Sequence, residues 1–330
     1  MKKDENAELV GGNACPFSTV ASRSNQIIYY ILKRLARRFR CKTPTRAFHA
    51  KTIGLAEATF KVEGSVDDTL PAHLQVGIFA TPGKKYQAWV RFTNGSGSLN
   101  SDAKKDARGM AIKIINDQPD QVSWKEHDII MFNVPIFIPA KAAWQLMGVK
   151  SVLGSFFQFV IFGTLLVLRF FPKSIWFLKN VRIRTPNVLE ECYFSATPFS
   201  YGTKAIKWHA RPLKLISDTM PEHPSENFLR ERLANDLIYK KVSFALYVQF
   251  QENERSEPIE DTGVEWKTQF QKVATITLIP QDILTDERTH KDFVTSYSPG
   301  CTHPDHKPLG EINQLRQRVY EHLAKKRIGS

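Results

Sequence analysis

Residues Tyr86–Ile114 read YQAWVRFTNGSGSLNSDAKKDARGMAIKI. Two runs rich in aromatic and branched side chains, YQAWVRFT and GMAIKII, flank a stretch of Gly, Ser, Asn and Asp. Apolar runs of that length, bounded by turn residues, predict paired β-strands. The pattern recurs on either side, in ATFKVEG (Ala58–Gly64), LQVGIFA (Leu74–Ala80), KVSFALYVQFQ (Lys241–Gln251) and VATITLIP (Val273–Pro280). Several antiparallel runs of alternating character point to a barrel or a sandwich.

The composition supports a large core. Of 330 residues 42% are hydrophobic and 11% aromatic, with 22 Phe, which excludes disorder as the default state. Lys and Arg number 46 against 33 Asp and Glu, an excess of 13. Such an excess suits an anionic partner, whether a membrane surface, nucleic acid or an acidic ligand. Cys15, Cys41, Cys192 and Cys301 lie far apart, with neither zinc spacing nor a dense disulfide framework. They read as reduced thiols in a cytoplasmic protein. The opening MKKDENAELVGGN carries acids and lacks the apolar run of a cleaved signal.

Two further segments stand apart from the strands. Residues 1–24 read as a tail, and NQIIYYILKRLARRFRCK (Asn25–Lys42) as a basic amphipathic arm. Its apolar residues share a helical face flanked by arginines, which suits either anionic lipid or packing on the domain or a second subunit. SVLGSFFQFVIFGTLLVLRFF (Ser151–Phe171) has no charge before Arg169. As a helix, about 18 such residues would cover roughly 27 Å, close to a bilayer core. A spanning helix would put the two strand sets on opposite sides of the membrane. The preferred reading is therefore a hydrophobic helical insert, within 151–180, that dips into one leaflet. A buried core helix or a dimer contact is the alternative. The expected division is 1–42 for tail and arm and 43–330 for the domain.

Chemistry is hard to assign from residue types alone. His49, in TRAFHAK (Thr45–Lys51), reads by itself as a polar residue at a strand edge. The other histidines show neither HxxxH nor HExxH spacing.

Four motifs taken together change that reading. RAFHAK resembles the R-x-x-H-A-K signature on which haem catalases place their distal histidine. The Tyr86–Ile114 block, with Arg91, Phe92, Thr93, Asp106, Arg108, Gly109 and Lys113, resembles their V-R-F-[ST] strand leading into D-x-R-G-[FM]-A-[VI]-K. HDIIMFNVPIFI (His127–Ile138) is similar to the segment that carries their distal asparagine. LRQRVYEHL (Leu315–Leu323) places Arg316 and Tyr320 at the spacing of their proximal arginine and tyrosine. The C-terminal run SYSPGCTHPDHKPLGEINQLRQRVYEHLAKKR resembles the ending of small bacterial catalase-like proteins, which keep only the haem barrel.

The resemblance implies an α+β fold, an antiparallel β-barrel with surrounding helices. It also implies haem b, with Tyr320 as the iron's axial ligand and Arg46, Arg91 and Arg316 about the propionates and that ligand. His49 would be the distal acid–base residue, oriented by Thr93, and Phe137 the aromatic at the distal face. His303 and His306 would support the proximal side. Aligned on Pro135, Phe132 falls at the family's catalytic amide and Asn133 at the next position. The expectation is that Asn133 acts through a small shift, with Phe132 the alternative occupant. The implied activity is reduction of organic or lipid hydroperoxides, with an unidentified reductant. Fatty-acid hydroperoxide rearrangement, as in the allene oxide synthases, true hydrogen peroxide catalysis and haem binding without turnover remain open. Membrane contact through 25–42 and 151–171, at the inner face of the membrane, is expected. Nucleic acid is not, because the basic residues concentrate in the arm and no recognised module appears. A homo-oligomer is left open.

Overall fold

A computed structural model describes residue 46 and residues 48–64, 70–117, 124–136, 184–214 and 217–328. The arm at 25–42, the insert at 151–180 and Phe137 lie outside the described residues. Among those described, no helix is long and apolar enough to cross a membrane.

The alternating runs build a closed antiparallel sheet. Its strands are β1 (Thr52–Val62), β2 (Lys85–Asn94), β3 (Arg108–Ile115), β4 (Glu126–Phe132), β5 (Tyr193–Phe194), β7 (Lys204–Pro212), β8 (Val242–Phe250) and β9 (Phe270–Leu278). The order is β5-β4-β3-β2-β1-β9-β8-β7, and β5 pairs back onto β7 to close the barrel. The short strand β6 (Phe199–Tyr201) adds to β7. Helix α1 (Phe228–Tyr239) packs against β1, α2 (Asp286–Val294) also touches β1, and α3 (Gly310–Ile328) ends the chain's described part.

Side-chain alternation decides which residues fill the barrel and which decorate it. On β2, Ala88, Val90 and Phe92 join the main core, as do Met110, Ile112 and Ile114 on β3 and Ile129 and Met131 on β4. The residues between them, Arg91 and Thr93, Ala111 and Lys113, Ile130 and Phe132, therefore share the outer wall. A separate apolar cluster forms there from Ile130, Phe132, Val134 and Tyr297, with Ala107, Ala111 and Tyr320 packed on it. The two clusters lie on opposite faces of the same strands.

One expected strand is not a strand. LQVGIFA forms 3-10 turns at Ala72–Leu74 and Gly77–Phe79. Gly77 adopts φ +61°, and a Cβ there would meet the His306 ring at less than ordinary contact, so the chain kinks where only glycine fits. Leu74, Ile78 and Phe79 all turn into the main core. Tyr86 and Tyr201 donate their hydroxyls to the Ile78 and Leu74 carbonyls at 3.1 and 2.6 Å.

The segment after Arg46 is pinned onto the barrel by one buried carboxylate. Asp102 accepts from Lys51 Nζ at 2.9 Å, from Asn94 Nδ2 at 2.9 Å and from the Leu229 N–H in α1 at 3.2 Å. Its loss would leave the Asn94 amide and the Leu229 N–H unmatched and Lys51 with only the Glu226 carbonyl. Asp102→Ala is expected to cost roughly 3 kcal/mol, measured by urea denaturation. A change within a few tenths of a kcal/mol would contradict this placement.

Candidate active site on the outer barrel wall

Three residues line up across neighbouring strands. Thr93 of β2 lies opposite Gly109 of β3, and Gly109 opposite Phe132 of β4. The His49 imidazole lies over this row. Its Nδ1 is 2.9 Å from Thr93 Oγ1, and its ring stacks on Phe132 with centroids 5.1 Å apart and planes 28° apart. A Cβ on Gly109 would sit 2.8 Å from His49 Nδ1 and 2.6 Å from Thr93 Oγ1. Glycine is thus required by close approach, not by turn geometry.

His49 pays for this position in backbone strain. Its φ is +52°, in the left-handed region that few residues other than glycine visit. Backbone bonds from His49 N to Gly95 O (3.4 Å) and from Ala50 N to Ser96 O (3.2 Å) hold the loop onto the β2–β3 connection. Burial, together with the charges of Arg91 and Arg316, lowers the imidazole pKa to about 3. The ring is therefore neutral near pH 7.

Asn133 does not join His49. Its Oδ1 accepts from the Arg108 N–H at 2.8 Å and its Nδ2 donates to Glu191 at 3.1 Å. Its backbone N–H also bonds Arg108 O at 2.9 Å. Strand alternation gives the reason: Phe132 faces the outer wall at His49, so its neighbour turns elsewhere. The expected shift in register is not made, and the position beside the histidine is aromatic.

Helix α3 brings Arg316 and Tyr320 to the same cluster. The Arg316 guanidinium carbon lies 5.8 Å from the Tyr320 ring centroid and 5.8 Å from that of Phe132. Its Nη1 donates to Thr197 Oγ1 at 2.7 Å and to Asn313 Oδ1 at 2.9 Å. Its Nη2 is buried with no hydrogen-bond partner among the described residues. A buried guanidinium nitrogen left open beside a phenol suits a bound anion, such as that phenol once ionised.

A second cluster gathers positive charge around Asp292 of α2. Arg91 Nε donates to Asp292 Oδ1 at 2.6 Å, and the same arginine reaches Thr52 Oγ1 at 2.5 Å and His49 O at 3.3 Å. Arg46 bonds the carbonyls of Asp292 and Thr295 at 2.6 and 2.7 Å, and Arg327 bonds Thr295 O at 3.1 Å. Burial and the neighbouring guanidiniums, Arg91 foremost, lower Arg46 to about 9 and Arg327 to about 10. Burial alone would raise the Asp292 carboxyl, but Arg91 and Arg46 hold it below its ordinary value. Arg46 and Arg91 share the one carboxylate of Asp292, so the cluster keeps a net positive charge that suits a further anion. Together with the open Arg316 nitrogen beside Tyr320, this residue set fits a dicarboxylate porphyrin whose iron takes a phenolate.

Sequence reasoning missed Arg327 and Asp292. Arg327 follows Tyr320 by seven residues, two helical turns on the same face, and that spacing was the available signal. Asp292 comes from a distant helix with no local motif. His303 and His306 do not support the proximal side. They pack at the barrel end with His127, where His127 and His306 ring centroids are 5.4 Å apart. The His303 N–H bonds His127 Nδ1 at 3.0 Å, so the loop before α3 crosses β4 there. Among the described residues no group of three or more His, Cys, Asp or Glu could hold a metal ion.

Gly109→Ala is expected to break the His49–Thr93 hydrogen bond while the barrel stays folded. Imidazole 15N shifts of His49 report this directly, and an unchanged signal would contradict the packing.

The catalase family model matches residues 21–144. Catalase easC of Arthroderma benhamiae is 36% identical over 128 residues, 38% of this chain and 24% of that one. A catalase of Latilactobacillus sakei is 31% identical over 110 residues, 33% of this chain and 21% of its own. The chain thus spans about a quarter of the length of the curated relatives it matches. The fold likeness extends much further. A fungal catalase structure superposes with TM-score 0.64 and 17% identity over 91% of this chain and 62% of that one. Catalase A from Saccharomyces cerevisiae gives 0.63 and 16% over 91% and 64%. Residues 21–144 are thus similar to the catalase family in sequence, and the closed barrel is the fold of the catalase structures.

Proposed function

We propose that the chain is a haem b-dependent peroxidase that reduces organic hydroperoxides, ROOH, to ROH and water with two electrons from a separate reductant. The observation that carries this reading is the His49 imidazole, bonded to Thr93 and stacked on Phe132, across the outer wall from Arg316 and Tyr320. When bound, haem supplies the iron centre at which the O–O bond is cleaved.

The chain's own residues do the rest. Tyr320 would hold the iron as phenolate, with Arg316 offsetting its charge. Arg46, Arg91 and Arg327 would bind the two propionates. With Nδ1–H donating to Thr93, His49 Nε2 is left to take the proton from the incoming hydroperoxide and return it to the departing oxygen. Phe132 offers an apolar ring where an amide would hydrogen-bond hydrogen peroxide. The site therefore favours a peroxide with an apolar substituent over hydrogen peroxide itself. The C-terminal motif run supports placement with the small catalase-like peroxidases. Rearrangement of a fatty-acid hydroperoxide would consume no reductant, so product analysis separates it.

We also propose a membrane-surface location at the cytoplasmic face, on the strength of the basic segment 25–42 and the apolar segment 151–171. Flotation with anionic vesicles should carry the full chain upward; equal flotation after deleting 151–171 would count against that segment.

Assays with cumene hydroperoxide and hydrogen peroxide test the activity. His49→Ala should lower kcat with cumene hydroperoxide about a hundredfold or more. Phe132→Asn should shift the kcat/KM ratio toward hydrogen peroxide by about tenfold. An unchanged ratio would remove the role given to Phe132.

A further inference from the structure

A cleft of about 340 Å³ opens beside the arginine cluster, between α1, α2 and β1. Its inner end is formed by Arg46, Arg91, Arg327 and Asp292. Its outer part is different. Arg230 from α1 and Arg288 from α2 line it together with Leu55, Ile283 and Phe293. Arg288 lies with its guanidinium carbon 4.6 Å from the Trp89 ring centroid, a cation–π contact. Its Nη1 is buried and has no hydrogen-bond partner among the described residues. Arg230, half-buried, is likewise without an ion pair there, and the nearby acids Asp286 and Glu287 of α2 are exposed and bridge to neither arginine.

We propose that this outer cleft binds the carboxylate of an amphiphilic organic acid, with the head group on Arg230 and Arg288 and the apolar chain against Leu55, Ile283 and Phe293. Guanidiniums suit a carboxylate because their donors match its two oxygens. Uncompensated charge beside apolar wall selects an acid over an alcohol or an ester. The assignment rests on the proposed function in one respect. Once the inner guanidiniums are matched to haem carboxylates, Arg230 and Arg288 are the charges left over.

Calorimetric titration of the haem-loaded full chain with decanoate and with methyl decanoate tests it. Decanoate should bind, and the ester about tenfold more weakly or worse. The double variant Arg230→Gln/Arg288→Gln should lose decanoate affinity by a similar factor while its haem content, read from the Soret band, stays unchanged. Equal affinity for acid and ester in the unmodified protein overturns the proposal, as does full decanoate affinity in the double variant. Decanoate binding by a chain that takes up no haem would uphold the cleft and sink the peroxidase reading instead. A rise in KM for a fatty-acid hydroperoxide in the double variant, with kcat little changed, identifies the acid as substrate. Decanoate affinity that depends on both arginines with no such rise upholds the site for an acid that is not the substrate.

Discussion

The imidazole of His49 can lie against the barrel only because one position on β3 has no side chain. Gly109 sits between Thr93 and Phe132 in the ladder, and the ring occupies the space a Cβ would take. Everything else at the site follows from that contact. Thr93 reaches Nδ1 from one side and Phe132 stacks from the other, so ring plane and position are set by rigid strands. The left-handed backbone at His49 is held by the loop bonds to Gly95 and Ser96 and by Lys51 on Asp102. Strain is tolerated where the surroundings over-determine it.

The second half of the site depends on charge. Helix α3 carries Arg316, Tyr320 and Arg327 on one face and lays them along the outer wall. Burial near other guanidiniums is costly unless anions are supplied. Asp292 supplies one, shared among Arg91 and Arg46. The remaining positive charge suits the anionic groups of the proposed cofactor. Farther out, it accounts for the cleft at Arg230 and Arg288.

Much of this was legible in the sequence, for identifiable reasons. β2 and β3 were readable because their apolar residues alternate around recognisable turns. LQVGIFA has the same composition but is folded by Gly77 and by core contacts that composition does not reveal. Lys204–Pro212, KAIKWHARP, is a strand whose Ile206, Trp208 and Ala210 face the core and alternate with Lys207, His209 and Arg211, a short pattern diluted by its charged residues. His49, Thr93, Arg91, Arg316 and Tyr320 were singled out by the resemblance to catalase motifs. Asn133 was expected beside His49, yet strand parity assigns that place to Phe132, and parity is set by pairing that a motif does not encode. Arg327 was within reach of helical periodicity; Asp292 was not, since only the tertiary fold joins it to Arg91.

Tyr320, backed by Arg316, is proposed to hold a haem iron on the outer wall of the barrel. Titrating the purified chain with haem and recording its visible and electron paramagnetic resonance spectra tests this most directly. Stoichiometric uptake is expected, with a high-spin ferric tyrosinate signature that Tyr320→Phe abolishes. No uptake, or the same spectrum in Tyr320→Phe, would contradict it.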